Sequence, residues 1–179
     1  MRRFKLNREP DRPGPRRRRP AERPARYYLA AEIDLRAEME RLCVLEALGG
    51  RAGPLTSRPP ELTVRRAARR PRSRMGFAIL DQHRISVTVY PGVRRGDVEE
   101  TLLHELVHLA VGAAAGGRRW HGREFTQTLS RAMAEAYGVH ARPSNARHGA
   151  YAEALERLHA REATLAARGI HPGRLGLSA

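Results

Sequence analysis

The sequence predicts an α+β domain on three observations. Apolar residues recur at helical spacing before residue 49, three short β-rich runs lie between residues 62 and 90, and helical spacing then returns to about residue 168. The expected architecture is an N-terminal helix, a small three-stranded antiparallel sheet, a helix carrying the chemistry, and two further helices. No internal repeat is visible.

In chain order, Leu29, Ile33, Leu35, Met39, Leu42, Leu45 and Leu48 give the first helix its spacing, and Gly49 and Gly50 stop it. Cys43 falls in the same pattern and reads as a small core residue. "RAGPLTSRPPE" is a loop, and "LTVRRAA", "GFAIL" and "RISVTVY" read as strands, with alternation clearest in the last. After "PGVRRG", Asp97 is the expected N-cap of the next helix and Glu100 completes a capping box. That helix is expected to run to about Ala115, before Gly116 and Gly117. Another starts near His121, shows Phe125, Leu129 and Ala132 on one face, and stops at Gly138. After "VHARPSNARHG", a last amphipathic helix is expected from about Tyr151 to Arg168.

A chain of 179 residues suggests one domain, here placed at 27–170, with a flexible tail at 171–179. Hydrophobic residues make up 41% and aromatics 5%, so the core must come from Leu, Val, Ala and Ile. The 34 basic residues against 19 acidic ones give +15, which attracts polyanions, nucleic acid before anionic membrane. The charge is local. Residues 1–26 carry a net +8 and residues 64–74 hold six Arg and no acid, so only about +1 remains for everything else. With five prolines and almost no aliphatics, 1–26 reads as a disordered basic Arg/Pro-rich arm. Arg16, Arg17, Arg18 and Arg19 in the arm, and Arg65, Arg66, Arg69 and Arg70 beyond it, are candidate nucleic-acid contacts. The plain alternative is a solubilising tail.

The single cysteine excludes an internal disulfide framework and a Cys-based zinc ribbon. It suits a reduced, cytoplasmic setting, nucleoid-associated if DNA is bound. No apolar run reaches the roughly 18 residues of a membrane span. "MRRFKLN" is followed by "REPDRPGPRRRRPAERPAR" where an export signal would need apolar residues, so no export and no membrane partner are expected.

The chemistry lies in "TLLHELVHLA", residues 101–110. His104, Glu105 and His108 spell H-E-x-x-H. Residues four apart on a helix lie one turn apart and about 40° around its axis. Two imidazoles so placed can share one tetrahedral ion, with the glutamate beside its water. The bland reading is a buried helix whose histidines have found polar partners. Against it, Leu102, Leu103, Leu106, Val107, Leu109 and Val111 surround them, and an isolated histidine there carries a desolvation penalty. A catalytic zinc needs a third protein ligand and an open fourth position. The metzincin spacing fails, because Val111 and Ala114 stand where Gly and His would be. "WHGREF" follows instead, and "AAAGGRR" can turn the chain so that His121 faces the first pair.

"TLLHELVHLA" with "HGREF" resembles the SprT-like metallopeptidases, the group that includes Spartan and its bacterial relatives. "RSRMGFAILDQHRISVTVYPG" resembles their hairpin leading into the active-site helix, and the resemblance spans roughly residues 30 to 135. It implies that His104, His108 and His121 are the ligands of one catalytic Zn2+ and that Glu105 is the catalytic glutamate. Gly122 and Phe125 match structural positions, Gly permitting close approach and Phe packing beneath the ligand. The chain departs from many relatives in having no Cys-rich ribbon, and in Met75 and Phe77 where they often show Trp and Cys.

The implied activity is zinc-dependent peptide hydrolysis on a protein substrate, with Glu105 as general base and DNA held by the basic segments. "RISVTVY" is expected to offer an edge for an extended substrate. Arg123, Tyr137 and His140 are candidates to stabilise the oxyanion. His83, His148, His159 and His171 are read as solvent-facing, and Trp120 as packing beside its loop. Two rivals remain: a non-catalytic, zinc-stabilised nucleic-acid-binding or adaptor protein, with His140 or His148 as fourth ligand, and a peptidase with no link to DNA.

Overall fold

The computed structural model describes residues 33–49, 55–112, 120–140 and 149–170. The arm at 1–26, with Arg16 to Arg19, and the tail at 171–179 lie outside the described residues, as do His148 and His171. Helix α1 spans Leu35–Cys43. Asp34 caps it by accepting from the Arg36 and Ala37 backbone N–H groups at 3.0 and 3.1 Å. The helix ends earlier than predicted, at Val44. A 3-10 turn at Glu46–Leu48 continues the apolar spacing, burying Leu45 and Leu48 in the same core. The turn's free N–H groups at Glu46 and Ala47 are taken by the Glu135 carboxylate at 2.8 and 3.0 Å.

The three predicted strands form as β1 Glu61–Arg66, β2 Gly76–Ile79 and β3 Arg84–Val89, in spatial order β1-β3-β2. The sheet is mixed rather than antiparallel, which corrects the expectation. β2 and β3 make an antiparallel hairpin, but β1 pairs in parallel with β3, Leu62 opposite Ile85 and Arg65 opposite Thr88. The chain leaving β1 crosses through residues 67–75 to reach the far side of β3, and this fixes β1 parallel to it. β3 is therefore central. Its predicted alternation vanishes because both faces are covered: Ile85 and Val87 are fully buried, and Ser86 and Thr88 nearly so.

Helix α2, Arg95–Val111, packs against both β2 and β3 and against α1, α3 and α4. Fourteen of its seventeen residues are buried, so every polar group on it needs a partner. Asp97 is not the N-cap. The helix begins three residues earlier than that, after Arg94, and Asp97 reaches back from the third helical position to the Arg94 backbone N–H and guanidinium. This is the acidic half of a capping box, displaced by one turn. Glu100 instead serves another helix, accepting from the Gly149 and Ala152 N–H groups at 2.7 and 2.6 Å at the start of α4. Glu99, fully buried, receives Arg95 at 2.8 Å and His159 at 2.6 Å. α2 ends at Val111, short of the expected Ala115, with Gly112 at φ 70°.

Helix α3, Arg123–Tyr137, buries Phe125, Leu129 and Ala132 as predicted, and Gly138 closes it in the left-handed conformation. Helix α4, Ala150–Ala167, lays Tyr151, Ala152 and Leu155 on α2. α1 is tied to the end of α3. The Tyr137 hydroxyl donates to Glu38 at 2.6 Å, and Arg41 donates to the Ala136 carbonyl at 3.2 Å. No helix among the described residues is long and apolar enough to cross a membrane.

Candidate metal centre

His104 and His108 project from one face of α2 one turn apart, their ring centroids separated by 4.9 Å. His121 arrives from the other side, just ahead of α3, and its ring lies 5.0 Å from His104 and 5.1 Å from His108. The ligand atoms the three offer all lie within 4.8 Å of one another, and His104 Nε2 is 3.1 Å from His121 Nε2. Two imidazole nitrogens on a tetrahedral zinc, each at about 2.0–2.1 Å, are separated by about 3.3–3.4 Å. The His104–His121 pair lies close to that spacing, and three imidazoles grouped in this way could hold a metal ion.

Phe125 forms the floor. Its ring, on a residue 2% exposed, stands 4.8, 4.4 and 4.8 Å from the rings of His104, His108 and His121. It packs beneath the three rings, the position the resemblance implied. Gly122 has φ −71°, so the backbone dihedral there makes no demand for glycine. Burial, then the neighbouring His121, pushes His108 down to about 4, which leaves its ring neutral at pH 7 and able to donate a lone pair.

Glu105 sits between the histidines in sequence but faces the sheet. It is 6% exposed, and its carboxylate accepts a hydrogen bond from the Ala78 backbone N–H of β2. Burial pushes it up to about 7, against the opposing pull of Arg74 and the Ala78 hydrogen bond. A cation bound at the triad would lower it again. Gly76 of β2 is pressed against this carboxylate: a Cβ there would lie 2.8 Å from Glu105 Oε1 and 2.7 Å from Thr101 Cγ2. Sequence reasoning did not single out Gly76, Ala78 or Arg74. A glycine at a strand position is the one available signal, since it marks close approach of other atoms.

The structure also reassigns several candidates. β3 cannot offer an edge to a substrate because it lies between β1 and β2, so the edge beside Glu105 belongs to β2. Tyr137 is committed to Glu38 and lies under the Arg41 guanidinium, away from the triad's contacts. Arg123 and His140 are exposed, and His140 is not among the grouped ligands. His159 is not solvent-facing, since its side chain is 17% exposed and bound to Glu99. His83, at φ 51° in the β2–β3 turn, holds the Arg58 carbonyl at 2.6 Å through Nε2. Cys43 is buried, and burial pushes its thiol up to about 11. Trp120, 63% exposed, stands at the rim with its ring 6.2 Å from His108. Arg65, Arg69 and Arg70 come together with Arg72 and Arg74 around one groove, while Arg66 is not among its lining residues.

No curated protein and no solved structure matches the chain. The model of the SprT-like family matches residues 51–146, a span that takes in the whole sheet, α2, α3 and the three histidines. The chain belongs to the SprT-like family.

Proposed function

We propose that this protein is a zinc-dependent endopeptidase of the SprT-like type. The observation that carries the reading is the convergence of His104, His108 and His121 over Phe125 with the buried Glu105 carboxylate alongside. His104, His108 and His121 would hold a zinc ion, which would supply Lewis acidity there. The remaining work falls to the chain. Glu105 takes the proton of the attacking water and returns it to the amine nitrogen released from the scissile bond. Ala78 and Gly76 hold the carboxylate in one position against β2. The other edge of β2 pairs with β3, so a peptide lying along the edge nearer Glu105 passes beside the carboxylate.

The substrate class we favour is protein held on nucleic acid in the cytoplasm, with the basic arm of 1–26 following phosphates without reading bases. The rival, a zinc-stabilised adaptor without turnover, requires a closed site. Among the described residues His104, His108 and His121 group, and His140 does not join them, while His148 lies outside the described residues. The test is cleavage of an unfolded protein by zinc-loaded wild type and by Glu105→Gln. Loss of cleavage in the variant with zinc still near one per chain supports the reading, and equal cleavage sinks it.

A further inference from the structure

Arg65, Arg69, Arg70, Arg72 and Arg74 line a single groove of about 570 Å3, together with Phe77 and Thr88. The groove belongs to the face of the sheet opposite α2. Arg65 pairs with Thr88 and Phe77 with Ser86, so these positions share one face, while Ile85 and Val87 face the core. The crossover segment from β1 to β2 forms the other wall. Among the described residues, no carboxylate is salt-bridged to Arg69, Arg70, Arg72 or Arg74, and Arg65 lies 5.8 Å from the Phe77 ring centroid. Five guanidiniums thus line the groove with no acid among the lining residues. Asp97 feels the charge of Arg70 and Glu105 that of Arg74, and the positive excess that remains favours an anion. Beside Thr88 on the same face, the buried Ser86 hydroxyl has no hydrogen-bond partner.

The groove also adjoins the reaction centre. Gly76 lines it, and the same residue is pressed on Glu105. Arg74 lines it too, and its charge is felt at Glu105. We infer that this groove is a specificity subsite that takes acidic side chains of the peptide being cleaved, flanking the scissile bond. The inference rests on the peptidase reading above and adds a substrate preference to it. Guanidinium forks match carboxylates bidentately, and five of them can hold two or three Asp or Glu side chains. The volume is that of a small-ligand pocket, with room for a few side chains rather than a duplex. A chain lying along the edge of β2 passes Gly76, which both lines the groove and lies against Glu105.

The test uses the full-length, zinc-loaded protein and three probes: a fluorescent peptide with four Glu, its Gln counterpart, and a single-stranded oligonucleotide of matching charge. In the Glu105→Gln background, the Glu peptide is expected to bind about tenfold more tightly than the Gln peptide. Arg69→Gln with Arg72→Gln is expected to bring the two within about twofold, and Arg72→Glu to do the same with an unchanged thermal transition. With Glu105 intact, the paired substitution raises KM for the Glu peptide about tenfold and leaves kcat within about twofold. Equal binding of the two peptides overturns the inference. So does a result in which the substitutions weaken the oligonucleotide and leave the peptide preference standing. Cleavage of both peptides with equal efficiency removes the subsite alone, whereas cleavage of neither removes the peptidase reading and the subsite's role with it.

Discussion

Replacing Gly76 with Ala tests the placement of Glu105 without touching a metal ligand. The added Cβ would stand 2.7 Å from Thr101 Cγ2, 2.8 Å from Glu105 Oε1 and 2.9 Å from Glu105 Cγ. Each distance is shorter than a tolerated carbon contact, and neither neighbour is free to yield, since Thr101 is 1% and Glu105 6% exposed. Gly76 is not among the positive-φ residues, so backbone strain adds nothing and the effect is steric. Overpacking of this kind costs about 1–3 kcal/mol of stability. Displacing a catalytic group by about 1 Å costs about a hundredfold in rate. The expected result is a fall in kcat of about a hundredfold with zinc content unchanged. The assays are peptide cleavage, zinc analysis of the purified variant and thermal denaturation. Cleavage within twofold of wild type, with no loss of stability, would refute both the packing of β2 on Glu105 and its catalytic place.

Other substitutions probe the supports of the site. Phe125→Ala removes the floor under all three imidazoles and should cost about 3–5 kcal/mol in urea denaturation, with Phe125→Leu milder. Loss of zinc affinity is expected in both. Glu100→Ala leaves the Gly149 and Ala152 N–H groups without their acceptor and should cost about 1–3 kcal/mol, measured the same way. Burial pushes Glu38 up, but the hydrogen bonds from Arg41 and Tyr137 outweigh it and hold its carboxyl below the usual range. A depressed carboxylate contributes stability that is present above its unfolded value, near 4.5, and is lost as pH falls through the folded one. Glu38→Gln should therefore flatten the acid limb of the stability–pH curve, and an unaltered limb contradicts the clamp between α1 and α3.

The readability of this chain divides along the line between local and tertiary causes. H-E-x-x-H was legible because its geometry is set within one helical turn, and His121 because "HGREF" opens a helix at the right place. Phe125, Leu129 and Ala132 were legible for the same reason. The direction of β1 was not, since pairing with β3 in parallel is decided by where the crossover carries the chain. Asp97 and Glu100 mimic a capping box, but burial gives each carboxylate a distant or side-chain partner, Arg94 for one and the start of α4 for the other. The edge expected of "RISVTVY" was misplaced because the crossover puts β1 on its other side and makes the strand central. Arg65 to Arg74 were visible as charge, whereas their closure into one groove beside Gly76 depends on the fold of the crossover.

The measurement that bears most directly on the central claim is X-ray absorption at the zinc edge of the zinc-loaded protein. The account predicts three imidazole nitrogens at about 2.0–2.1 Å and one further light-atom ligand from solvent, the open site of a hydrolytic enzyme. Replacing His121 with Ala should remove one imidazole from that shell. Four imidazoles in a closed shell, or a shell unchanged by His121→Ala, would contradict it and leave the zinc-stabilised adaptor in its place.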